Sequence, residues 1–233
     1  MKVLSLGISE LDRDLGGGIP FPSLVSIEGE YGSGKTVFTQ QIVYSLLKGG
    51  LKIFVVSSEA TVKEYLSMME SVKLDAYDYY ISGQLDVYPL HVEGGRWSRF
   101  LSSFFLRVMA NFLEVKKDKY DAIAIDSLSV LTVETLPHEF LTFITRMKNL
   151  VSDGKGVVVT FHPSFLSEDS IMKLRASSDV YLVMKNTSIS GIDVKLLRVV
   201  KLWGGGGDRK SSITLEVNPE IGLRVMPLSG VKV

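Results

Sequence analysis

The chain has 233 residues, 45% of them hydrophobic, which suits one α/β domain with a full core. Its 26 lysines and arginines balance 26 aspartates and glutamates, so no global field draws it to a nucleic acid or an anionic membrane. It has no cysteine, which excludes disulfides, thiolate metal sites and thiol nucleophiles, and its three histidines argue against a histidine-built metal cluster.

Met1-Lys2-Val3 leads into globular sequence without the apolar run of a secretory leader. No apolar run reaches membrane-spanning length; Phe104 to Leu113 is interrupted by Arg107. The expectation is a cytoplasmic protein, with any membrane attachment made through a partner. Ser5 to Leu15 predicts a short helix with a turn, Leu11 and Leu15 lying one turn apart on one face. Gly16-Gly17-Gly18-Ile19-Pro20 stops it and reads as a connector rather than a chemical site.

Leu24-Val25-Ser26-Ile27-Glu28 is a short apolar strand. It opens onto Gly29-Glu30-Tyr31-Gly32-Ser33-Gly34-Lys35-Thr36, which fits the phosphate-loop pattern G-x-x-x-x-G-K-[ST]. A helix follows from Val37 to Lys48, with Val37, Ile42, Val43, Leu46 and Leu47 apolar, and ends at Gly49-Gly50. Strand and helix in place set this loop apart from a chance run of glycines. Glycine lets the backbone wrap a phosphate chain so that successive N–H groups point inward. Lys35 is placed to neutralise β- and γ-phosphate charge and the Thr36 hydroxyl to ligate magnesium. A helix starting there aims its positive dipole end at the anion.

Lys52 to Val56 predicts a second strand, ending at Ser57-Ser58-Glu59 before a helix from about Thr61 to Met69. Parallel α/β sheets place ligand chemistry at the carboxyl ends of strands, so Glu59 has two readings. It is a carboxylate that activates water near a γ-phosphate, or a charge at the helix N-terminus beside Thr61. Tyr77-Asp78-Tyr79-Tyr80 suggests base stacking or, more simply, packing. Leu85 to Leu90 is strand-like. Ser98 to Lys116 is a long helix whose stripe Leu101, Phe104, Phe105, Val108, Met109 and Phe112 is read as core, or as a partner-facing groove.

Tyr120 to Ser127 is a buried strand that ends in Asp126. Paired with the phosphate loop, Asp126 is the residue that holds magnesium or its water opposite Thr36; alone, it reads as a turn cap. Phe140 to Val151 is a helix, and Gly156 to Phe161 another buried strand. At its polar end Thr160 and His162 are placed to sense a γ-phosphate or to make structural hydrogen bonds. Asp179 to Met184, Gly191 to Trp203 and Ile213 to Val217 predict antiparallel or mixed strands that extend the sheet. Gly204 to Gly207 predicts a mobile loop, with Arg209 and Lys210 beside it as solvated cations or phosphate contacts.

Four pieces together carry a resemblance. They are Leu11-Asp12 with Leu15 to Pro20, the phosphate loop, the Glu59 strand end, and Ile123-Ala124-Ile125-Asp126-Ser127-Leu128-Ser129. The set resembles the RecA superfamily, specifically single-domain relatives of the clock ATPase KaiC. Ser58-Glu59-Ala60-Thr61, His162-Pro163 and the tail Leu215 to Ser229 make nearly the whole chain similar to the accessory ATPase family of the archaellum, the archaeal flagellum. The resemblance implies an α/β fold: a RecA-like P-loop NTPase core with a largely parallel twisted sheet flanked by helices. It implies binding of ATP and Mg2+ and assembly into a ring, often hexameric. It further implies docking onto the archaellum motor ATPase and the membrane platform protein.

By the same resemblance, Lys35, Thr36, Asp126 and Glu59 match the family's phosphate, magnesium and base positions. Lys201-Leu202-Trp203 falls where the clock ATPase has Lys-Leu-Arg, a segment that reaches the neighbouring subunit's nucleotide. Two departures bear on turnover. The clock ATPase has two consecutive glutamates where this chain has Glu59-Ala60, and its trans-acting arginine is Trp203 here. The expectation is an ATP-binding accessory subunit with weak or absent hydrolysis. The alternatives are an active ATPase or autokinase, and a recombinase-type DNA binder, which the neutral charge opposes.

Overall fold

The computed structural model describes residues 2–90, 99–133, 135–189, 191–204 and 209–226, with the backbone alone at Arg99. It begins with strand β1 (Lys2–Leu4), helix α1 (Ser9–Asp14) and strand β2 (Ile19–Phe21). β1 and β2 pair as a small antiparallel sheet of their own. There follow β3 (Leu24–Gly29), α2 (Lys35–Lys48), β4 (Ile53–Ser57), α3 (Val62–Ser71), α4 (Tyr77–Ile81) and β5 (Leu85–Pro89). Then come α5 (Arg99–Val115), β6 (Ala122–Asp126), α6 (Pro137–Ser152), β7 (Gly156–Phe161) and α7 (Glu168–Ser177). The chain closes with β8 (Val180–Ile189), β9 (Ile192–Leu202), β10 (Ser212–Asn218) and β11 (Gly222–Val225).

The nine strands of the main sheet lie in the order β11-β10-β9-β8-β3-β7-β6-β4-β5. From β8 to β5 every pairing is parallel, and from β8 to β11 every pairing is antiparallel. The expected α/β class and the antiparallel C-terminal extension both appear. The central strands are apolar on both faces, as a parallel sheet covered twice requires. In β4, Ile53 and Val55 face the layer of α1, α2 and α3, while Phe54 and Val56 face that of α5 and α6. In β6, Ala122 and Ala124 face the first layer, and Ile123 and Ile125 the second.

One reading needs correction. The long helix buries Leu106, Met109, Ala110 and Leu113, whereas Phe104 and Val108 are each 43% exposed and Phe100 is 75% exposed. Apolar residues lie almost all round this helix, so periodicity alone cannot select the face that meets the sheet. Phe105 and Phe112 still pack against the core from its flank. Ser98 and the glycines from Gly205 to Gly207 fall outside the described residues. The tyrosine segment forms α4, where Tyr77 and Tyr79 pack on the core and the Tyr79 ring meets Tyr44 edge-on at 6.1 Å.

The sheet's centre sets a stability prediction. Ile125 is fully buried against the α5 and α6 layer. Ile125→Ala is expected to lower the unfolding free energy by about 2–5 kcal/mol in a urea titration, the usual cost of such a cavity.

Candidate functional site

β3 lies near the middle of the sheet, and the loop from its carboxyl end leads straight into α2. Gly34, at φ +89°, is the N-cap of that helix, in a conformation L side chains rarely adopt. A Cβ on Gly29 would stand 2.6 Å from Ser33 Oγ and 2.7 Å from the Met184 carbonyl oxygen, so the loop folds tightly back on its own base. Ser33 Oγ is buried with no hydrogen-bond partner of its own.

Three consecutive loop carbonyls are each met by a donor. Lys35 Nζ donates to the Glu30 carbonyl at 2.8 Å, and the Ser33 N–H reaches the same oxygen at 3.3 Å. Asn186 Nδ2, on β8, donates to the Tyr31 carbonyl at 3.3 Å. Lys195 Nζ, on β9, donates to the Gly32 carbonyl at 2.7 Å and to Asn186 Oδ1 at 2.7 Å. In a trans peptide the C=O and the following N–H point oppositely. The Asn186 and Lys195 bonds therefore fix the peptide planes that also carry the Gly32 and Ser33 N–H groups. Fixed peptide planes are what an anion cradle built from backbone needs.

Asp126 ends β6, two strands from β3, with β7 between. Its side chain is 2% exposed, and Thr160 Oγ1 on β7 donates to Oδ1 at 2.6 Å. Burial pushes the Asp126 carboxyl above the usual aspartate range. The Thr160 bond opposes that, Glu59 adds to it, and a hydrogen bond from the Thr36 hydroxyl and the Lys35 charge oppose it. Lys35 is held below the usual lysine range by burial, against the raising influence of Glu59, Asp126 and Glu30. A cation, a hydroxyl and two carboxylates thus converge at one end of the sheet.

Glu59 is exposed on the loop after β4, and Ser127 Oγ donates to its Oε1 at 2.9 Å. The helix-cap reading of Glu59 has another occupant. Thr61 caps α3 and Glu64 completes a capping box, its Oε2 accepting the Thr61 N–H at 2.8 Å. Ser57 Oγ accepts the N–H of buried Ala60 at 3.0 Å, fixing the bend that presents Glu59. A cleft of about 280 Å³ is lined by Gly32 to Val37, Glu59, Lys195 and Val217.

The remaining candidates lie in different settings. The His162 N–H donates to Ser129 Oγ at 3.0 Å, its Nδ1 accepts from the Ser164 N–H at 3.1 Å, and its ring lies 4.6 Å from that of Tyr31. Lys201, Leu202 and Trp203 lie at the other end of the sheet. Leu202 pairs with Val180, whereas Gly29 pairs with Met184, a separation of roughly 13 Å at about 3.3 Å per residue. Lys201 Nζ donates to the Ala176 carbonyl at 2.9 Å, Leu202 is buried, and Trp203 is 69% exposed. Arg209 Nη1 donates to the Leu202 carbonyl, and Lys210 Nζ pairs with buried Asp14 at 2.7 Å. Ser127, Asn186 and Lys195 were not singled out from sequence. Lys195 is 163 positions from the carbonyl it holds, and only the β8–β9 pairing reveals its place.

The donor set fits magnesium better than a metal that demands a full protein cage. Among the described residues no group of three or more histidines, cysteines or carboxylates could hold an ion. The Thr36 hydroxyl and the Asp126 carboxylate, close enough for the hydroxyl to favour the ionised acid, suit an ion that keeps most of its waters.

A family model described as "ATPase: KaiC" matches residues 4–229. The archaeal flagellar ATP-binding protein FlaH of Sulfolobus acidocaldarius is 38% identical over 229 residues, covering 97% of this chain and 98% of that protein. FlaH of Methanocaldococcus jannaschii is 28% identical, covering 95% of this chain and 94% of its own. The crystal structure of that organism's flagellar accessory protein FlaH superposes with a TM-score of 0.82 at 24% identity, over 96% of this chain and 98% of the other. A KaiC-like protein of Pyrococcus horikoshii superposes at 0.74 with 21% identity, over 97% and 99%, respectively. With its phosphate loop, buried aspartate and strand order in place, the chain belongs to the KaiC-type ATPase family, in the branch of the archaeal flagellar ATP-binding proteins.

Proposed function

We propose that the chain binds ATP with Mg2+ at the 29–36 loop and serves as an accessory subunit of the archaellum motor, with weak or absent hydrolysis. The observation that carries this reading is the cradle itself. A glycine loop with its Tyr31 and Gly32 carbonyls held, the orphaned Ser33 hydroxyl, Lys35 and the Thr36–Asp126 pair stand together beside one cleft. Bound magnesium would neutralise phosphate charge. Thr36 and Asp126 would hold the ion, Lys35 would exchange its bond to the Glu30 carbonyl for phosphate, and Glu59, which lines the same cleft, would meet the terminal phosphate.

Weak turnover follows from what accompanies Glu59. Its sequence neighbour is the buried, apolar Ala60, and the segment that resembles the clock ATPase's trans-acting one ends in Trp203. An arginine finger contributes about 10³–10⁵ in rate, so its replacement by an indole leaves a site that retains ATP rather than spends it. The indole is exposed at the far end of the sheet from its own loop, so its reach is to another chain. The assembly proposed is a homo-oligomeric, hexameric ring that docks on the motor ATPase and the membrane platform protein. No helix among the described residues is long and apolar enough to cross a membrane, and the proposed membrane association runs through those partners in the cytoplasm. Nucleotide occupancy would order the loops at the carboxyl ends of the strands and so bias the ring and partner contacts.

One observation favours the autokinase reading: the Ser127 hydroxyl donates directly to the Glu59 carboxylate. Incubation with ATP followed by peptide mass spectrometry decides it, since phosphoserine at Ser127 would replace the passive reading.

Two expectations test the main proposal. Purified protein is expected to bind ATP yet hydrolyse it below about 1 s⁻¹, the lower end of ordinary enzyme turnover, and Lys35→Ala to abolish binding in equilibrium dialysis. Asp126→Asn removes a charge that burial disfavours. The variant is expected to melt no earlier than the parent, while ATP affinity loses its dependence on magnesium.

A further inference from the structure

Lys195 is a cation beside the cleft that the nucleotide reading leaves unused. It stands directly opposite Asn186 across the β8–β9 ladder, and the two side chains join through the 2.7 Å bond to Asn186 Oδ1. Together they hold consecutive loop carbonyls, those of Tyr31 and Gly32. The Lys195 stem lies along the loop: a Cβ placed on Gly34 would come within 3.6 Å of its Cγ. The same side chain forms one flank of the cleft that Lys35, Thr36 and Glu59 also line.

A glycine-rich loop has many conformations, and only those with the N–H groups inward bind a phosphate. A loop left to choose among them loses affinity in proportion to the fraction that is competent. Lys195 acts on that fraction, because its bond to the Gly32 carbonyl fixes the plane of the peptide between Gly32 and Ser33. Building on the ATP-binding reading above, we propose that Lys195, braced by Asn186, is a positioning residue of the nucleotide site that keeps the phosphate loop in its anion-binding form. The chemistry needed is a cationic donor at the end of a stem long enough to cross from β9. Lys35 supplies the charge that meets phosphate, and Lys195 supplies the shape that lets it.

The test uses the full chain and a fluorescent ATP analogue with magnesium. Lys195→Met keeps the stem and removes the ammonium; it is expected to weaken binding about tenfold, the scale of one lost charge-assisted hydrogen bond. Lys195→Arg restores a cationic donor and is expected to recover most of the affinity. Asn186→Ala, at an exposed position, should weaken binding less, and should add little in the Lys195→Met background because the two act as one brace. Melting temperatures without nucleotide should stay within a few degrees of the parent, which separates positioning from folding. Parental affinity in Lys195→Met, failure of arginine to restore it, or simple additivity with Asn186→Ala overturns the inference and leaves ATP binding standing. If the parent itself fails to bind the analogue, the ATP reading falls, and this one with it.

Discussion

A backbone loop can hold an anion only when its peptide planes turn their N–H groups inward, and each plane so turned leaves a carbonyl that needs a donor of its own. The 29–36 loop meets this constraint with donors from three places: Lys35 in the loop itself, Asn186 on β8 and Lys195 on β9. The strand order follows from the same need. β8 lies directly beside β3, and β9 beside β8, so the outer face of the loop is covered by the antiparallel extension. That extension is part of the site's support as well as a widening of the sheet.

The inner face is built by the parallel half. β4, β6 and β7 all end at the same edge, and residues at or next to their ends supply the polar groups: the Ser57 bend that presents Glu59, then Asp126 and the penultimate Thr160. Each strand is otherwise apolar, so the two cores that fix the strands also fix the spacing of the chemistry. The cost of this arrangement falls on Asp126, whose charge is buried and opposed by Glu59. Thr160 and Thr36 offset part of it through hydrogen bonds, which is why a threonine stands on the neighbouring strand rather than another valine.

What the sequence made legible was local. The strand–glycine loop–helix succession and the strand ending in Asp126 are written within a few consecutive residues, and both lie as read. The phase of α5 was not legible, because its apolar residues leave several faces equally suitable until the sheet and α6 select one. Helix α7 escaped notice for the opposite reason. It buries only Ser170 and Leu174, and its clearest local signal is Ser167 accepting the Ser170 N–H at 3.2 Å. Lys195 and Asn186 belong to a third kind. Nothing near them in the chain marks them, since their role depends on a loop 155 and 163 positions away.

β9 is hydrogen-bonded on both sides, to β8 and to β10, along the stretch that carries Lys195. Two ladders hold such a strand against sliding in register. One strand thus carries, near its start, the lysine that bonds the chain's own loop and, just past its end, the outward-facing indole of Trp203. The fold joins a loop and an exposed aromatic surface through a single stretch of backbone, interrupted by one irregularity opposite Tyr181 and Leu182.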